Sequence, residues 1–255
     1  MPASLALRLP APFRVHGDHI MITLRGASVL FTTRRGGVSQ APYNALNLGR
    51  QTEDDPSRVA SNRALVAGIA QLECDRLADG LQVHGSEVRR VTDVADIAPK
   101  ALPEVDGHAT ALADVALLVV TADCLPIAVA GDRAVAMLHG GWRGLSNAIV
   151  AEGVRALREL GEEGDLAAAI GPGAGPCCYE VGNDVHEAFA SHGDGVRNGR
   201  QLDLPAVARI QLAAAGVGEV YCSDLCTICT PTDLFFSHRR DGPKTGRQAG
   251  VAWLN

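Results

Sequence analysis

The sequence predicts an α/β protein organised around a buried β-hairpin, and three observations predict it. Val115–Thr121 is a continuous apolar run rich in β-branched residues, which reads as a buried strand. Leu125–Ala130 and Arg133–Leu138 are two more such runs, separated only by Gly131 and Asp132, a type I′ or II′ hairpin signal. After the turn His139-Gly140-Gly141-Trp142-Arg143-Gly144, Leu145, Ile149, Val154, Leu157 and Leu160 recur at helical spacing, with Glu152, Arg155, Arg158 and Glu159 between them. A two-residue turn pairs Ala130 with Arg133 and therefore puts Cys124 directly opposite His139. Facing residues in a hairpin have Cβ atoms about 4.5–5.5 Å apart, so this thiol and imidazole could share a metal or a proton. Pro126 cannot donate to the ladder and is expected to loosen that end of it.

The remaining elements follow in chain order. Phe13–His16 and Ser28–Thr33 read as strands, the second leaving through Thr32-Thr33-Arg34-Arg35-Gly36-Gly37-Val38-Ser39. That arginine-bearing glycine turn reads as an anion site or as a solvated loop. Asn44 and Asn47 suit turn capping or substrate hydrogen bonds. Asp55-Pro56 starts a helix that runs to about Leu72, with Val59, Val66, Ile69 and Leu72 on one side. Arg76–His84 is a further strand. Asp93–Pro103 is polar and hinge-like, and Asp106-Gly107-His108 is a turn. Leu166–Ile170 is a short buried strand leading to the turn 171–176. A short helix spans Gly182–His192, and Asp203 caps another that ends at Gly216. Glu219–Cys222 is a strand. Phe235–Gly242 reads as a strand running into a basic turn, which Thr245–Gly250 completes.

Bulk properties set limits. The 255 residues are 47% hydrophobic and 20% charged, ordinary for a globular chain of one large or two small domains. A net charge of −6 and a pI near 5.7 argue against general binding of nucleic acid or membrane surfaces. Aromatics at 4% leave little for base stacking along single strands. No run approaches the roughly 18 apolar residues of a membrane span, and prolines interrupt the short apolar start, so a cytoplasmic protein with reduced cysteines is expected.

Three strong metal ligands stand at the ends of apolar strands: His84, Cys124 and His139. Three nitrogen or sulfur ligands with an open fourth position make a catalytic zinc set, and two histidines with one cysteine also describe a copper site. A metal-free Cys124–His139 nucleophile pair is the third reading. The His-x-His pairs of multicopper oxidases are missing, as is the His-x-Glu…Pro-Cys-x-x-Cys set of zinc deaminases. Arg34 and Arg143, each in a glycine turn leaving a strand, are the candidate phosphate binders. Arg239 and Arg247 lie in a terminal basic turn that reads more simply as solvated. Asp123, Glu180 and Asp241 are candidate acids by adjacency. Cys222, Cys226 and Cys229 suggest a zinc knot but lack a fourth ligand, for which His238 is nearest.

Together these motifs resemble one family along almost the whole chain: TTRRGGVS (32–39), YNALNLG (43–49), QVHG (82–85), TADCLPI (121–127), HGGWRG (139–144), IGPG with CCYEVG (170–182) and FFSHRRDG with TGR (235–247). The sequence is similar to the bacterial laccase-domain or polyphenol oxidase family, also called peptidoglycan editing factors. The resemblance implies a single α/β (α+β) domain over 1–255, two β-sheets packed between helices, similar to the deamidase domain of cytotoxic necrotizing factor. It implies a zinc-dependent purine nucleoside phosphorylase that also deaminates adenosine, with zinc, or less readily copper, on His84, Cys124 and His139. These three are expected to carry catalysis, and the residues themselves make Arg34, Arg143, Asn44 and, less strongly, Arg239 the candidates for binding phosphate and nucleoside. Alternatives are an amidase that edits L-Ser out of a cell-wall precursor, a copper polyphenol oxidase, and a non-enzymatic metal-binding partner of the division machinery. Gly140 replaces a usual Ala, and His108, Cys177, Cys222 and Cys229 are additions to the family pattern.

Overall fold

The computed structural model describes residues 7–97 and 101–255. Among these residues, fourteen strands are distributed over two six-stranded sheets and one short hairpin. In chain order they are β1 (Arg14–His16), β2 (His19–Leu24), β3 (Ala27–Phe31), β4 (Leu77–Ala78), β5 (Val88–Val91), β6 (Gly107–Thr110), β7 (Ala116–Thr121), β8 (Leu125–Ala130), β9 (Val135–Gly140), β10 (Leu166–Ile170), β11 (Arg197–Asn198), β12 (Gln201–Leu202), β13 (Val217–Cys222) and β14 (Gln248–Leu254). The helices are α1 (Pro56–Ile69), α2 (Trp142–Ser146), α3 (Ile149–Glu159), α4 (Asn183–Ala188), α5 (Leu204–Ala214) and α6 (His238–Asp241). The first sheet runs β1-β2-β3-β14-β7-β4 and the second β13-β10-β8-β9-β6-β5.

The layers follow from which side chains each strand turns which way. One face of the first sheet (Ile20, Ile22, Val29, Phe31, Leu117, Val119) meets one face of the second (Ala128, Ala130, Val135, Met137, Ala167, Ala169) in a shared core. The other face of the first sheet (Leu30, Ala116, Leu118, Val251) lies under Val66 and Ala67 of α1. The other face of the second (Ile127, Val129, Leu138, Ala168) lies under Ile149, Val154 and Leu157 of α3 and Val207 and Leu212 of α5. Hence two sheets sit between helices, and β7 and β8 are apolar at nearly every position because both of their faces are covered. Small side chains between the sheets let the layers close. Gly250 of β14, on the first sheet, is the extreme case, where a Cβ would come within 2.6 Å of Pro126 and 2.9 Å of the Met137 sulfur of the second sheet. No helix among the described residues is long and apolar enough to cross a membrane.

Several expectations need correction. The hairpin register is Ala130↔Val135 and Pro126↔His139, so Cys124 is not directly opposite His139. The connection is four residues, Gly131–Ala134, with the Gly131 N–H donating to the Ala134 carbonyl at 3.0 Å. The Glu162 carboxylate fills this turn by accepting from the N–H groups of Arg133 (2.6 Å) and Ala134 (3.2 Å). A slip of two residues preserves which face each side chain occupies, so Cys124 and His139 remain on one side. Pro126 does not loosen the ladder, which continues to Leu125↔Gly140, and its carbonyl accepts from Gly171 N–H at 2.9 Å.

The expected strand at Phe235 is a loop running into α6. There the Gln248 side-chain amide replaces a neighbouring strand, accepting from Phe236 N–H (2.8 Å) and donating to its carbonyl (3.1 Å). The true final strand, β14, begins at Gln248, inside the stretch expected as the closing turn, and it lies between β3 and β7. The Arg76–His84 segment forms only β4 before turning into a loop. The expected helix from Leu145 breaks at Ala148, which adopts φ +65°, and resumes as α3. The helix caps are as read: Asp55 accepts from Ser57 N–H (2.8 Å) and Asp203 from Ala206 N–H (2.9 Å). His108 sits inside β6, buried, rather than in a turn. Residues 98–100 of the hinge-like segment lie outside the described residues.

Candidate metal centre

Two loops and the end of one strand bring His84, Cys124 and His139 together, with one ligand atom from each within 4.8 Å of the others. Cys124 stands in the β7–β8 connection, His139 near the end of β9, and His84 on the loop leaving β4. The imidazole centroids of His84 and His139 are 4.9 Å apart and nearly edge-to-face. Gly141 forms the floor between the ligands: a Cβ there would lie 3.1 Å from both the Cys124 sulfur and His84 Cδ2.

Asp106 organises the set. Its carboxylate, fully buried just before β6, accepts from the N–H groups of Val83 (3.0 Å), His84 (2.9 Å) and Gly85 (2.7 Å). This fixes the His84 backbone at φ +61°, a conformation uncommon for a non-glycine residue. The same carboxylate takes His139 Nδ1–H at 2.7 Å, which leaves Nε2 as the free ring nitrogen. Gln82 anchors the loop from the other side, its amide pairing with the Val120 N–H and carbonyl, both at 2.8 Å. Opposite, Asp123 holds the Cys124 turn at φ +93°. Its carboxylate accepts from Thr227 Oγ1 and from Arg239 N–H, each at 2.7 Å.

The electrostatics favour a charged sulfur. Burial pushes the Cys124 thiol up, but contact with the His139 and His84 imidazoles outweighs it and brings it down to about 6. Burial likewise works to lower His139, yet Cys124 and Asp106 together hold it up at about 9. Burial raises Asp106, and its bond to His139 with the surrounding N–H groups overrides that and lowers it. A thiolate and two oriented imidazoles around one point are the donor set of a soft-to-borderline metal such as zinc.

The trio opens into a cleft of about 350 Å³ whose walls include Tyr179, Trp142, Arg143, His238, Arg239 and Arg247. The Arg143 guanidinium lies 4.3 Å from the Trp142 ring, and that of Arg239 lies 5.3 Å from the Tyr179 ring. Burial pushes the Tyr179 phenol up to about 12, so it keeps its proton at neutral pH.

Residues 28–255 match the family model described as multi-copper polyphenol oxidoreductase laccase. The chain belongs to that family. Among its relatives, purine nucleoside phosphorylase PA4543 of Pseudomonas aeruginosa is 38% identical, over 100% of this chain and 99% of its own. Purine nucleoside phosphorylase YlmD of Geobacillus stearothermophilus is 36% identical, over 87% of this chain and 88% of its own. The crystal structure of the hypothetical protein YfiH of Bacillus licheniformis superposes with a TM-score of 0.90 at 32% identity, covering 96% of this chain and 100% of that one. That of Geobacillus YlmD gives 0.86 at 33%, with the same coverage.

Within this laccase family member the expected site residues divide. His84, Cys124, His139, Arg143 and Arg239 meet at the cleft, as does Arg247. Arg34 and Asn44 do not line it: the Arg34 guanidinium donates to the carbonyls of Asn44 (2.7 Å) and Thr232 (2.9 Å) and lies 4.4 Å from the Phe236 ring. Asn47 is a buried brace, its side-chain amide oxygen Oδ1 accepting from Gly49 and Arg247 N–H groups. Of the three candidate acids only Asp123 reaches the cleft, and its carboxylate is already occupied; Glu180 pairs with Arg200 and Asp241 with Arg240. His238 lines the cleft and Cys222 stands apart from Cys226 and Cys229, so the zinc knot does not form as drawn from the sequence. Sequence reasoning missed Asp106, Gln82 and Tyr179. For Asp106 the only available signal was a buried-strand boundary occupied by a charge.

Proposed function

We propose that this chain is a zinc-dependent purine nucleoside phosphorylase, acting on adenosine, inosine and methylthioadenosine with phosphate, and that the same pocket deaminates adenosine. The whole chain, 1–255, is read as one such domain. The observation that carries the reading is a thiolate–imidazole trio at the floor of a cleft bordered by Arg143, Arg239 and Arg247. The names of the relatives point the same way.

The donor set fits zinc, with His84, Cys124 and His139 as the residues that would hold it. Zinc there would supply Lewis acidity, which polarises an oxygen and brings the pKa of water toward about 7. The chain's own groups do the rest. Asp106 holds the proton on His139 Nδ1 and so keeps Nε2 facing the ligand. Phosphorolysis requires phosphate beneath C1′ while the sugar gains positive charge, and the forked Arg143, exposed at the rim, suits that anion. Arg239 is steered by its bond to the Glu180 carbonyl (2.7 Å). Trp142, Tyr179 and Val120 give the cleft an apolar wall against which a purine can lie.

The test is zinc-loaded protein incubated with adenosine, with and without phosphate, and resolved by chromatography. Adenine that forms only with phosphate, and inosine that forms without it, are the expected products. Arg143→Ala should raise the phosphate KM while zinc content stays constant. An L-Ser-containing cell-wall precursor as a second substrate separates the amidase reading. Full activity in zinc-free protein would make Cys124 a plain nucleophile and end the metal-dependent account.

A further inference from the structure

Four cysteines outside the cleft converge from two loops far apart in the sequence. The turn after β10 supplies Cys177 and Cys178, and the loop after β13 supplies Cys226 and Cys229. Their four sulfurs all lie within 4.8 Å of one another, with Cys177 and Cys229 at 3.4 Å. The loops are laced by backbone bonds that hold this arrangement: Gly173 N–H to the Leu225 carbonyl (3.2 Å) and Thr227 N–H to the Gly173 carbonyl (2.9 Å).

Geometry discriminates among the uses of four thiols. Four sulfurs about 2.3 Å from a common tetrahedral centre lie about 3.8 Å from each other, which is the scale of this cluster. An iron–sulfur cubane, with its own irons and sulfides between the ligands, needs its thiolates further apart. The buried Cys226 sulfur also accepts the Gly175 N–H at 3.3 Å. An N–H donor aimed at a buried sulfur stabilises a thiolate, since a neutral thiol accepts weakly. The Cys226-x-x-Cys229 spacing is moreover a metal-chelating arm.

We propose that Cys177, Cys178, Cys226 and Cys229 bind a structural zinc ion as a closed tetrathiolate, a second metal site distinct from His84, Cys124 and His139. The ion clips together two loops that build the cleft wall. Tyr179, next to Cys178, lines the cleft. Thr227, next to Cys226, donates to the Asp123 carboxylate, and Ala174 N–H donates to the Asp123 carbonyl at 2.7 Å. Asp123 in turn sets the turn that presents Cys124.

Zinc content and X-ray absorption of protein purified with zinc test this. Wild type is expected to hold two zinc ions per chain, with about two and a half sulfurs per zinc averaged over a four-sulfur and a one-sulfur site. His84→Ala and Cys229→Ser should each retain one. The ion left in His84→Ala should show four sulfurs at about 2.3 Å, and the one left in Cys229→Ser a single sulfur. Cobalt exchanged into His84→Ala should give intense sulfur-to-metal charge-transfer absorption. If Cys229→Ser does not fold, the wild-type sulfur average still decides. A single zinc with one sulfur in wild type overturns the proposal, as does an intact mass showing the four cysteines joined as disulfides. A single zinc with four sulfurs that survives His84→Ala would instead uphold it and overturn the metal reading of the cleft.

Discussion

The β8–β9 hairpin is fastened at both ends by a buried carboxylate from elsewhere in the chain, and the two ends do different work. At the turn, Glu162 collects the N–H groups of Arg133, Ala134 and, at 2.9 Å, Gly164. At the open end, Asp106 collects those of Val83, His84 and Gly85. In both cases burial raises the carboxyl and the donors more than compensate, so each is held below the ordinary carboxylate value. The difference is one further contact: Asp106 also takes His139 Nδ1–H. The same device that closes a turn at one end becomes, by adding an imidazole, the support of a ligand set at the other. Removing either carboxylate should therefore cost stability, but only one removal should cost metal.

The largest effect is expected at Asp106. Asp106→Ala strands three N–H groups and an imidazole in a buried site. It should lower metal affinity about 10–100-fold and stability by about 3 kcal/mol. Metal titration and urea unfolding of the same preparation measure both. Metal affinity within twofold of wild type would show that His139 needs no orienting partner and would erase the distinction between the two ends.

Glu162→Ala is the matched experiment. Three N–H groups lose their acceptor, for an expected loss of about 2 kcal/mol. Metal affinity should be unchanged, because the turn is at the far end of the hairpin. Both carboxylates have folded pKa values below their unfolded values of about 3.9 and 4.3. The stability they contribute is full above those unfolded values and is lost as pH falls through the folded ones. Acid unfolding should therefore be less steep in Glu162→Ala than in wild type below about pH 4.

Legibility in the sequence divides along the same line. The candidate ligands His84, Cys124 and His139 could be singled out because each ends an apolar run, where a reactive polar residue stands out. The strands β7, β8 and β10 could be read because burial on both faces leaves them uniformly apolar. Asp106 and Glu162 could not, since what each carboxylate does depends on N–H groups brought in from other segments. The hairpin register failed for that reason: Gly131-Asp132 suggests a two-residue turn, and only Glu162, about 30 residues later, makes the four-residue one stable. β14 was lost because Gly250, a glycine required by Pro126 and Met137 of the facing sheet, looks in sequence like the end of a turn.

Gly141→Ala sharpens the contrast from inside the site. Gly141 has φ −74°, which an alanine adopts freely, so the backbone should not object. The added Cβ would press on Cys124 and His84 at 3.1 Å, and those ligands must shift by a few tenths of an ångström. About a tenfold fall in metal affinity is expected, with unfolding free energy of the metal-free protein nearly unchanged. Loss of stability without loss of metal would place the constraint in packing rather than in ligand spacing.

The smallest effect separates Asp106 from its neighbour on β6. His108 is buried two residues away, its Nδ1 has no hydrogen-bond partner, and it does not line the cleft. Burial, with Arg89 nearby, lowers its pKa to about 3. The sign follows from which state binds the proton. Between about pH 6.5 and 3 the unfolded chain protonates this histidine and the folded one does not, so stability falls as pH falls through that window. Between pH 6.5 and 5.5 the loss should be about 1 kcal/mol, before either carboxylate begins to titrate. His108→Leu removes the titration, leaves no polar atom unpaired, and should flatten the stability profile over that interval. An unflattened profile would assign the loss to another histidine, with His19, also lowered chiefly by burial, the first to test.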